Sequence, residues 1–327
     1  MTTSTATAPP TSGAGHCLAE AFRWHRPLMS LAAAMAGLMV VGVVGMLTDH
    51  RVLTGLPIWD KPTKFALSVL IYSVTWAWFI AQLDRARRAA WWAGAVSAVL
   101  LGLEMVYIVG QVICGTTSHF NQTTPFNATL WRTMGGVIAL VWIATLIVCV
   151  ILFLSPGPDR ARNLAVRAGA VIAVVGMALG FLMTIPTADQ IAHGARIAGA
   201  HTVGLADGGP GLPLLGWSTV GGDLRIPHFV GMHALQLIPL LAIGLEFLGR
   251  NRLVLRQPAV KVRLIEVAVA GYAALLALLT WQALRGQSIV HPDLLTDLAI
   301  AAVVLGVGTG ATVALRAPAS QVAPRTS

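Results

Sequence analysis

The chain has 327 residues, of which 56% are apolar and only 11% are charged. Soluble globular domains carry roughly 25% charged residues, so this composition excludes a soluble enzyme, a disordered protein and a fibrous repeat. One membrane-spanning helix needs about 20 mostly apolar residues, so eight spans need about 160. The apolar runs are continuous instead of alternating, which argues against a porin-type barrel. The sequence therefore predicts an all-α polytopic membrane protein with about eight transmembrane helices.

In chain order, the predicted elements are a tail, eight apolar windows and a second tail. Residues 1–22 are predicted to be a disordered cytoplasmic tail, because their first part is uncharged and rich in Thr, Ser, Ala, Pro and Gly. The transmembrane domain is expected over residues 23–317 with a long outer loop at 187–226, and residues 318–327 are expected to be disordered. The eight windows are about 27–47, 65–83, 90–114, 134–154, 165–186, 227–249, 263–284 and 296–316.

The net charge of +9 predicts the orientation of the spans. With the N-terminus inside, the cytoplasmic segments hold 15 of the 22 Lys and Arg residues, and the outer segments hold 7. Basic residues concentrate in the cytoplasmic loops of membrane proteins. Both termini are therefore predicted to be cytoplasmic, in the plasma (inner) membrane. The same bias explains why the chain is basic, because its basic loops contact the lipid bilayer. No nucleic-acid partner is predicted.

Two pairs of similar segments suggest an internal duplication. The third span ends on Gln111 and Gly115, and the seventh ends on Gln282 and Gly286, with the same Q-x-x-x-G spacing. The second span opens at Pro62 after a Gly-Leu-Pro segment at 55–57, and the sixth opens at Pro227 after a Gly-Leu-Pro segment at 211–213. A parallel 4+4 repeat, as found in transporters, accounts for this spacing. Chance similarity between apolar segments is the alternative.

The histidines lie predominantly on one side of the predicted membrane. Two of the nine fall in the cytoplasmic tail, and positive-inside sorting does not explain the position of the others. The seven histidines on outer loops or outer halves of spans are His50, His119, His193, His201, His228, His233 and His291. This asymmetry predicts a polar site that opens to the extracytoplasmic side.

The third span carries a polar stripe that leads toward this side. Glu104, Gln111 and Ser118 are seven residues apart and share one helical face. Glu104 lies about 15 Å below the end of the span, close to the membrane midplane. A carboxylate there has to be protonated, paired or in contact with a wet cavity. A structural glutamic acid and a proton-accepting or ligand-contacting group are both open.

The densest polar patch precedes and opens the sixth span. Asp223 and Arg225 lie before Pro227, and His233 and Gln236 share a helical face. His228 and His233 are about 140° apart around a helix, which is poor geometry for binding one metal. The candidate catalytic residues are Glu104 and Asp223. The candidate ligand-binding residues are Lys61, Gln111, Ser118, Asn121, Arg132, Arg225 and Gln236, and the candidate metal ligands are His119, His228 and His233.

Three classes of function fit these residues. In the first, the histidines hold zinc, as in catalytic sites with an open position, or a haem whose propionates face Arg132, Arg225 or Lys61. In the second, the site binds a small solute or ion for transport. In the third, the chain is an assembly or sensory subunit with a polar partner interface. The sequence has no HExxH, HxxxH or CxxCH motif, so it leaves the three classes open.

Residues 55–65, 104–135 and 221–240 resemble segments of bacterial multi-pass membrane proteins. The strings that carry the resemblance are Ser118–Asn121 and Asp223–Phe229. The resemblance covers about a fifth of the chain. It implies a multi-pass membrane protein and brings no activity with it.

Overall fold

A computed structural model describes residues 14–193 and 196–316. Within this part of the chain, eight helices are long and apolar enough to cross a membrane, which confirms the predicted polytopic helical fold. They are α2 (Arg26–Thr48), α3 (Asp60–Ala81), α4 (Arg87–Ile113), α5 (Pro125–Leu154), α6 (Arg160–Leu179, continued by a 3-10 turn at Gly180–Thr184), α8 (Arg225–Leu248), α10 (Pro258–Leu284) and α11 (Leu294–Arg316). Three short helices complete the set: α1 (Ala14–Trp24), α7 (Ala188–Ala192) and α9 (Leu253–Arg256).

Three of the four connections at one end of the bundle are longer than any connection at the other end. The four are residues 49–59, 114–124, 185–224 and 285–293, and they form what we call the loop-rich end. Two small antiparallel sheets lie there, β1 (Val52–Leu53) with β2 (Leu56–Pro57) and β3 (Thr202–Val203) with β4 (Gly222–Asp223). This end corresponds to the side on which the sequence places its polar site.

Helix α5 begins nine residues before its predicted apolar window, at Pro125. Thr124 caps this start, since its side chain accepts a hydrogen bond from the backbone N–H of Asn127, and proline suits the first helical turn. The first turns are polar in sequence, but the hydroxyls of Thr129 and Thr133 donate to the carbonyls four residues earlier. Hydropathy alone therefore placed this boundary too late.

The N-terminal segment differs from the predicted disordered tail over its last part. Residues 14–22 belong to α1, whose Ala21 and Trp24 lie on one face and pack against the main hydrophobic core. This tertiary contact stabilises a helix that the tail composition did not indicate. Residues 1–13 and the predicted tail at 318–327 lie outside the described residues.

The spanning helices form two halves with the same packing pattern. In the first half α2 packs most extensively on α3, followed by α4 on α5, α3 on α4 and α2 on α4. In the second half the corresponding pairs are α6 with α8, α10 with α11, α8 with α10 and α6 with α10, in the same order. The closely packed contact between the halves is that of α5 with α6. This correspondence supports the predicted repeat of four helices.

The Q-x-x-x-G segments have the same local structure in both halves. Gly115 and Gly286 each have φ of +71° directly after the helix. The N–H of the following residue, Thr116 or Gln287, donates to the carbonyl of Gln111 or Gln282. This is the Schellman arrangement, which needs a left-handed residue that glycine adopts without steric cost. The sequence similarity therefore reflects one helix-capping structure used twice.

Candidate functional site

A cavity of about 1380 Å³ lies in the loop-rich end, between α3 of the first half and α8 of the second. Pockets for small molecules usually measure about 300–1,000 Å³, so this cavity is large. Its outer cover is the segment 204–217, which we call the lid. Most of the lining is apolar and includes Phe65, Ile71, Trp217, Phe229 and Tyr272.

Lys61 is a cation of the lining that, like Arg196, forms no ion pair among the described residues. Its Nζ makes no hydrogen bond or ion pair within the described ranges, and lies 5.8 Å from the centre of the Phe65 ring. The nearby charges of Glu104 and Asp207 attract it, whereas those of Arg225 and Lys64 repel it. The lining contains Lys61, Lys64, Arg196, Arg225, Asp60 and Asp207 as charged residues.

The two halves contribute equivalent acid–cation pairs at the start of the helices that flank the cavity. Asp60 and Lys64 on α3 are 2.5 Å apart, and Asp223 and Arg225 at the start of α8 are 2.6 Å apart. Both carboxylates are buried. Each cation also donates to the lid: Lys64 to the carbonyls of residues 214 and 215 (3.0 Å each), and Arg225 to the carbonyl of residue 216 (2.5 Å). The lid is therefore fastened to both halves.

Asp223 is fully engaged in this arrangement. Its carboxylate accepts hydrogen bonds from the backbone N–H groups of Ser218 (2.8 Å) and Arg225 (3.0 Å), and from the Arg225 guanidinium. It does not line the cavity. The geometry supports a structural role for Asp223 in holding the lid, and its predicted catalytic role stays a prediction.

His201 and Asp207 shape the inner surface of the lid. The Asp207 carboxylate accepts from the backbone N–H of His201 and of Thr202, and lies 2.6 Å from His201 Nδ1. Burial raises the pKa of the Asp207 carboxyl, but the hydrogen bonds and charge of His201 more than offset this, and the pKa falls below its usual value. Asp207 is therefore a carboxylate held by hydrogen bonds to the residues just before the lid.

His119 lies in an aromatic cluster in the loop that follows α4. Its ring centre is 5.5 Å from that of Phe65 and 5.4 Å from that of Trp131. Burial, followed by the positive charges of Lys61 and His201, holds the pKa of His119 well below its usual value. His119 is therefore neutral near pH 7, and its Nδ1 lies 3.0 Å from the hydroxyl of Ser118.

Below the cavity, hydrogen bonds connect α8 with α3. His233, which lines the cavity, places Nδ1 3.3 Å from the Gln236 side-chain oxygen, and the Gln236 amide donates to the Thr75 hydroxyl (3.1 Å). The predicted shared face of His233 and Gln236 is thus present. Gln236 itself belongs to the floor and not to the lining.

Of the predicted polar stripe, Glu104 and Gln111 lie on α4 behind the cavity, whereas Ser118 lies beyond the end of this helix. Glu104 is 2% exposed, and its Oε2 has no hydrogen-bond partner. Gln111 donates to the side-chain oxygen of Asn127 (3.0 Å). Neither residue lines the cavity, although the charge of Glu104 acts on Lys61. The catalytic role of Glu104 and the ligand-binding role of Gln111 stay predictions.

The three predicted metal ligands do not form one ligand set. His119 and His233 line the cavity, but His228 turns to α6, where its Nδ1 lies 2.8 Å from the carbonyl oxygen of Gly176. The reason is the wide angle between His228 and His233 on α8, together with the close approach of α6. Within residues 14–193 and 196–316, no group of three or more His, Cys, Asp or Glu side chains is arranged to hold a metal ion.

Of the remaining predicted residues, some line the cavity and others lie outside it. Lys61, Ser118 and Arg225 line the cavity, and their ligand-binding role stays a prediction. Asn121 is buried outside the lining and holds its own loop, donating to the Thr116 hydroxyl and the carbonyl of residue 117. Arg132 is exposed and does not line the cavity.

The sequence did not indicate His201, Asp207, Lys64 and Asp60 as site residues, although it placed them all near the outer side. A loop has no periodicity that assigns its side chains to a face. The Asp60–Lys64 spacing of four residues is the available signal, because such pairs meet on a helix surface.

In comparisons with known proteins, the chain matches no family model, no curated protein and no solved structure. The fold defines a polytopic helical membrane protein, and the function has to be inferred from the residues of the cavity.

Proposed function

We propose that this protein binds an anionic small molecule in the cavity of its loop-rich end. The observation that carries the proposal is Lys61, a cation in the cavity without an ion pair in the described part of the chain. The carboxylates of the lining are engaged by other groups, because Asp60 is paired with Lys64, and Asp207 accepts hydrogen bonds from the backbone N–H groups of His201 and Thr202. Removing an unmatched charge from water is costly, so a bound anion would stabilise this arrangement.

The groups around Lys61 suit recognition of an anion. Arg225 already has a partner in Asp223 but adds positive potential, and the neutral imidazole of His119 is able to donate a hydrogen bond. The apolar lining lowers the local dielectric and thereby strengthens these interactions. On the predicted orientation, the anion would arrive from the extracytoplasmic side, with both termini in the cytoplasm.

The test is thermal unfolding of the detergent-purified protein, followed by tryptophan fluorescence, with phosphate, acetate or citrate added over chloride. A ligand that binds only the folded state raises the unfolding temperature. We expect at least one of these anions to stabilise the wild type and to lose its effect in Lys61→Gln. Lys261→Gln, a matched change far from the cavity, should behave as the wild type. Equal stabilisation of both variants, or none of the wild type, contradicts the proposal.

Transport of the same anion is the second candidate. The observation that favours it is the position of the cavity between two similarly packed halves, which is where repeat-built transporters bind their substrates. Transport and binding alone can be distinguished in proteoliposomes. These are supplied with a radiolabelled form of the anion that stabilises the protein. Accumulation above the amount of protein indicates transport, and a stoichiometric plateau indicates binding alone.

A further inference from the structure

The cavity is covered on the side of the loop-rich end. The lid contributes much of the lining and is fastened by Lys64 from one half and Arg225 from the other. A further contact closes the lid against the β1–β2 turn, where a side chain at Gly55 would meet the carbonyl oxygen of Gly208 at 3.0 Å. A ligand entering from water would have to displace these contacts.

The cavity has an apolar side that faces the membrane. Helices α3 and α8 flank it but are not among the closely packed helix pairs. Leu67 on α3, Leu237 on α8 and Leu275 on α10 line the cavity and are 43%, 53% and 37% exposed. Because neighbouring helices leave these side chains partly uncovered, they mark an apolar gap between α3 and α8 on this side of the cavity.

The gap lies at the depth of lipid chains. Leu67 follows Asp60 by seven residues, or about 10 Å along α3, and Leu237 follows Arg225 by twelve residues, or about 18 Å along α8. The Gln236–Thr75 hydrogen bond joins the two helices at the level of Leu237 on α8 and below Leu67 on α3. The cationic end at Lys61 and the apolar gap are thus stacked along the membrane normal, as the headgroup and chain of a lipid are.

We infer that the anion of the proposed function is the headgroup of an amphiphile, a lipid phosphate or carboxylate whose chain enters through the gap between α3 and α8. This inference rests on the proposed function for anion recognition and adds the ligand class and the route. The cavity of about 1380 Å³ exceeds what an inorganic anion needs and has room for part of a chain. The headgroup would lie at Lys61 beneath the lid, and the chain between Leu67 and Leu237.

The experiment is native mass spectrometry of the detergent-purified full chain, titrated with phosphatidylglycerol, phosphatidylcholine or the chain-free glycerol phosphate. We expect phosphatidylglycerol to bind in preference to phosphatidylcholine, and Lys61→Gln to weaken its binding about tenfold, which corresponds to 1.4 kcal/mol. Lys61→Arg should restore it. Leu237→Trp fills the gap and should weaken phosphatidylglycerol binding, whereas Leu240→Trp, exposed on the same helix outside the lining, should not.

The outcomes separate the inference from the proposed function. Lipid binding that is equal in Leu237→Trp and Leu240→Trp overturns the route through the gap. Glycerol phosphate that binds as tightly as phosphatidylglycerol overturns the amphiphile but leaves the proposed anion site in place. If neither ligand depends on Lys61 in variants that elute as the wild type in size-exclusion chromatography, the proposed function fails as well.

Discussion

The amide of Gln236 donates a hydrogen bond to the hydroxyl of Thr75 across a distance of 3.1 Å, and this bond joins α8 to α3 below the cavity. The two helices belong to different halves and are otherwise not closely packed. The bond therefore links the two halves at the deep end of the cavity. It also supports the orientation of Gln236, whose oxygen faces His233.

Breaking this bond should loosen the junction of the halves. We expect Gln236→Leu and Thr75→Val each to lower stability, with a coupling of about 0.6 kcal/mol in a double-mutant cycle, typical of hydrogen bonds between membrane helices. The measurement is reversible unfolding in mixed micelles. Purely additive effects would mean that the two side chains do not interact.

The equivalent helix ends should respond alike to substitution. Gly115→Ala and Gly286→Ala each place a side chain at φ +71°, which costs about 1–2 kcal/mol. Space is available at both positions, since the nearest atoms to an added Cβ are 3.8 and 3.7 Å away. Gly110→Ala is the control, because this glycine lies inside α4 with open space around it. We expect this substitution to leave stability unchanged or to raise it. A loss in only one of the two capping variants would argue against structural equivalence.

His25 should make stability depend on pH. Its Nδ1 accepts from the N–H of Leu28 at the start of α2, so Nε2 carries the proton and donates to the carbonyl of Trp91. Burial lowers the pKa of His25, and protonation would remove the accepting nitrogen. A lowered pKa in the folded state means that this stability is present above about pH 6.5 and is lost as the pH falls. Thermal unfolding across this range measures it.

The control for His25 is His25→Asn, which keeps a helix-capping oxygen but does not titrate. We expect a smaller loss of stability on acidification in this variant than in the wild type. The wild type contains other, partly buried histidines with lowered pKa, His119 and His201, which act in the same direction. If His25→Asn loses as much stability on acidification as the wild type, those residues carry the whole effect.

Asp207 should govern how firmly the lid is closed. Asp207→Asn removes the charge-assisted bond with the His201 ring and one of the oxygens that accept from backbone N–H groups. A hydrogen bond to a charged group contributes about 1.5–3 kcal/mol. We expect faster amide hydrogen exchange at residues 201–203. Asp293→Asn, which breaks the surface pair with Arg285, should leave exchange in this segment unchanged. Equal exchange in Asp207→Asn and the wild type would show that the lid does not depend on this pair.

Contacts in the candidate site between residues that are close along the chain were predictable from the sequence. His233 and Gln236 share a face because they are three residues apart, and their contact follows. The roles of Asn121 and Gln111 were not predictable in the same way. Their side chains are occupied by partners in the framework, Thr116 and Asn127, which a polarity pattern does not distinguish from a ligand.

The sequence by itself determined the eight spans and the glycine helix ends, because hydropathy and a left-handed cap are properties of a short stretch of chain. Only the tertiary structure decided which polar residues share the cavity. His228 is directed to Gly176 because α6 and α8 approach closely at Gly176 and Gly231, where an added Cβ would lie 2.4 Å from the opposite backbone. Lys61 shares the cavity with the lid because a loop about 150 residues further along folds back over α3, as the bonds of Lys64 show. Such contacts depend on helix packing and loop closure, which residue spacing does not encode.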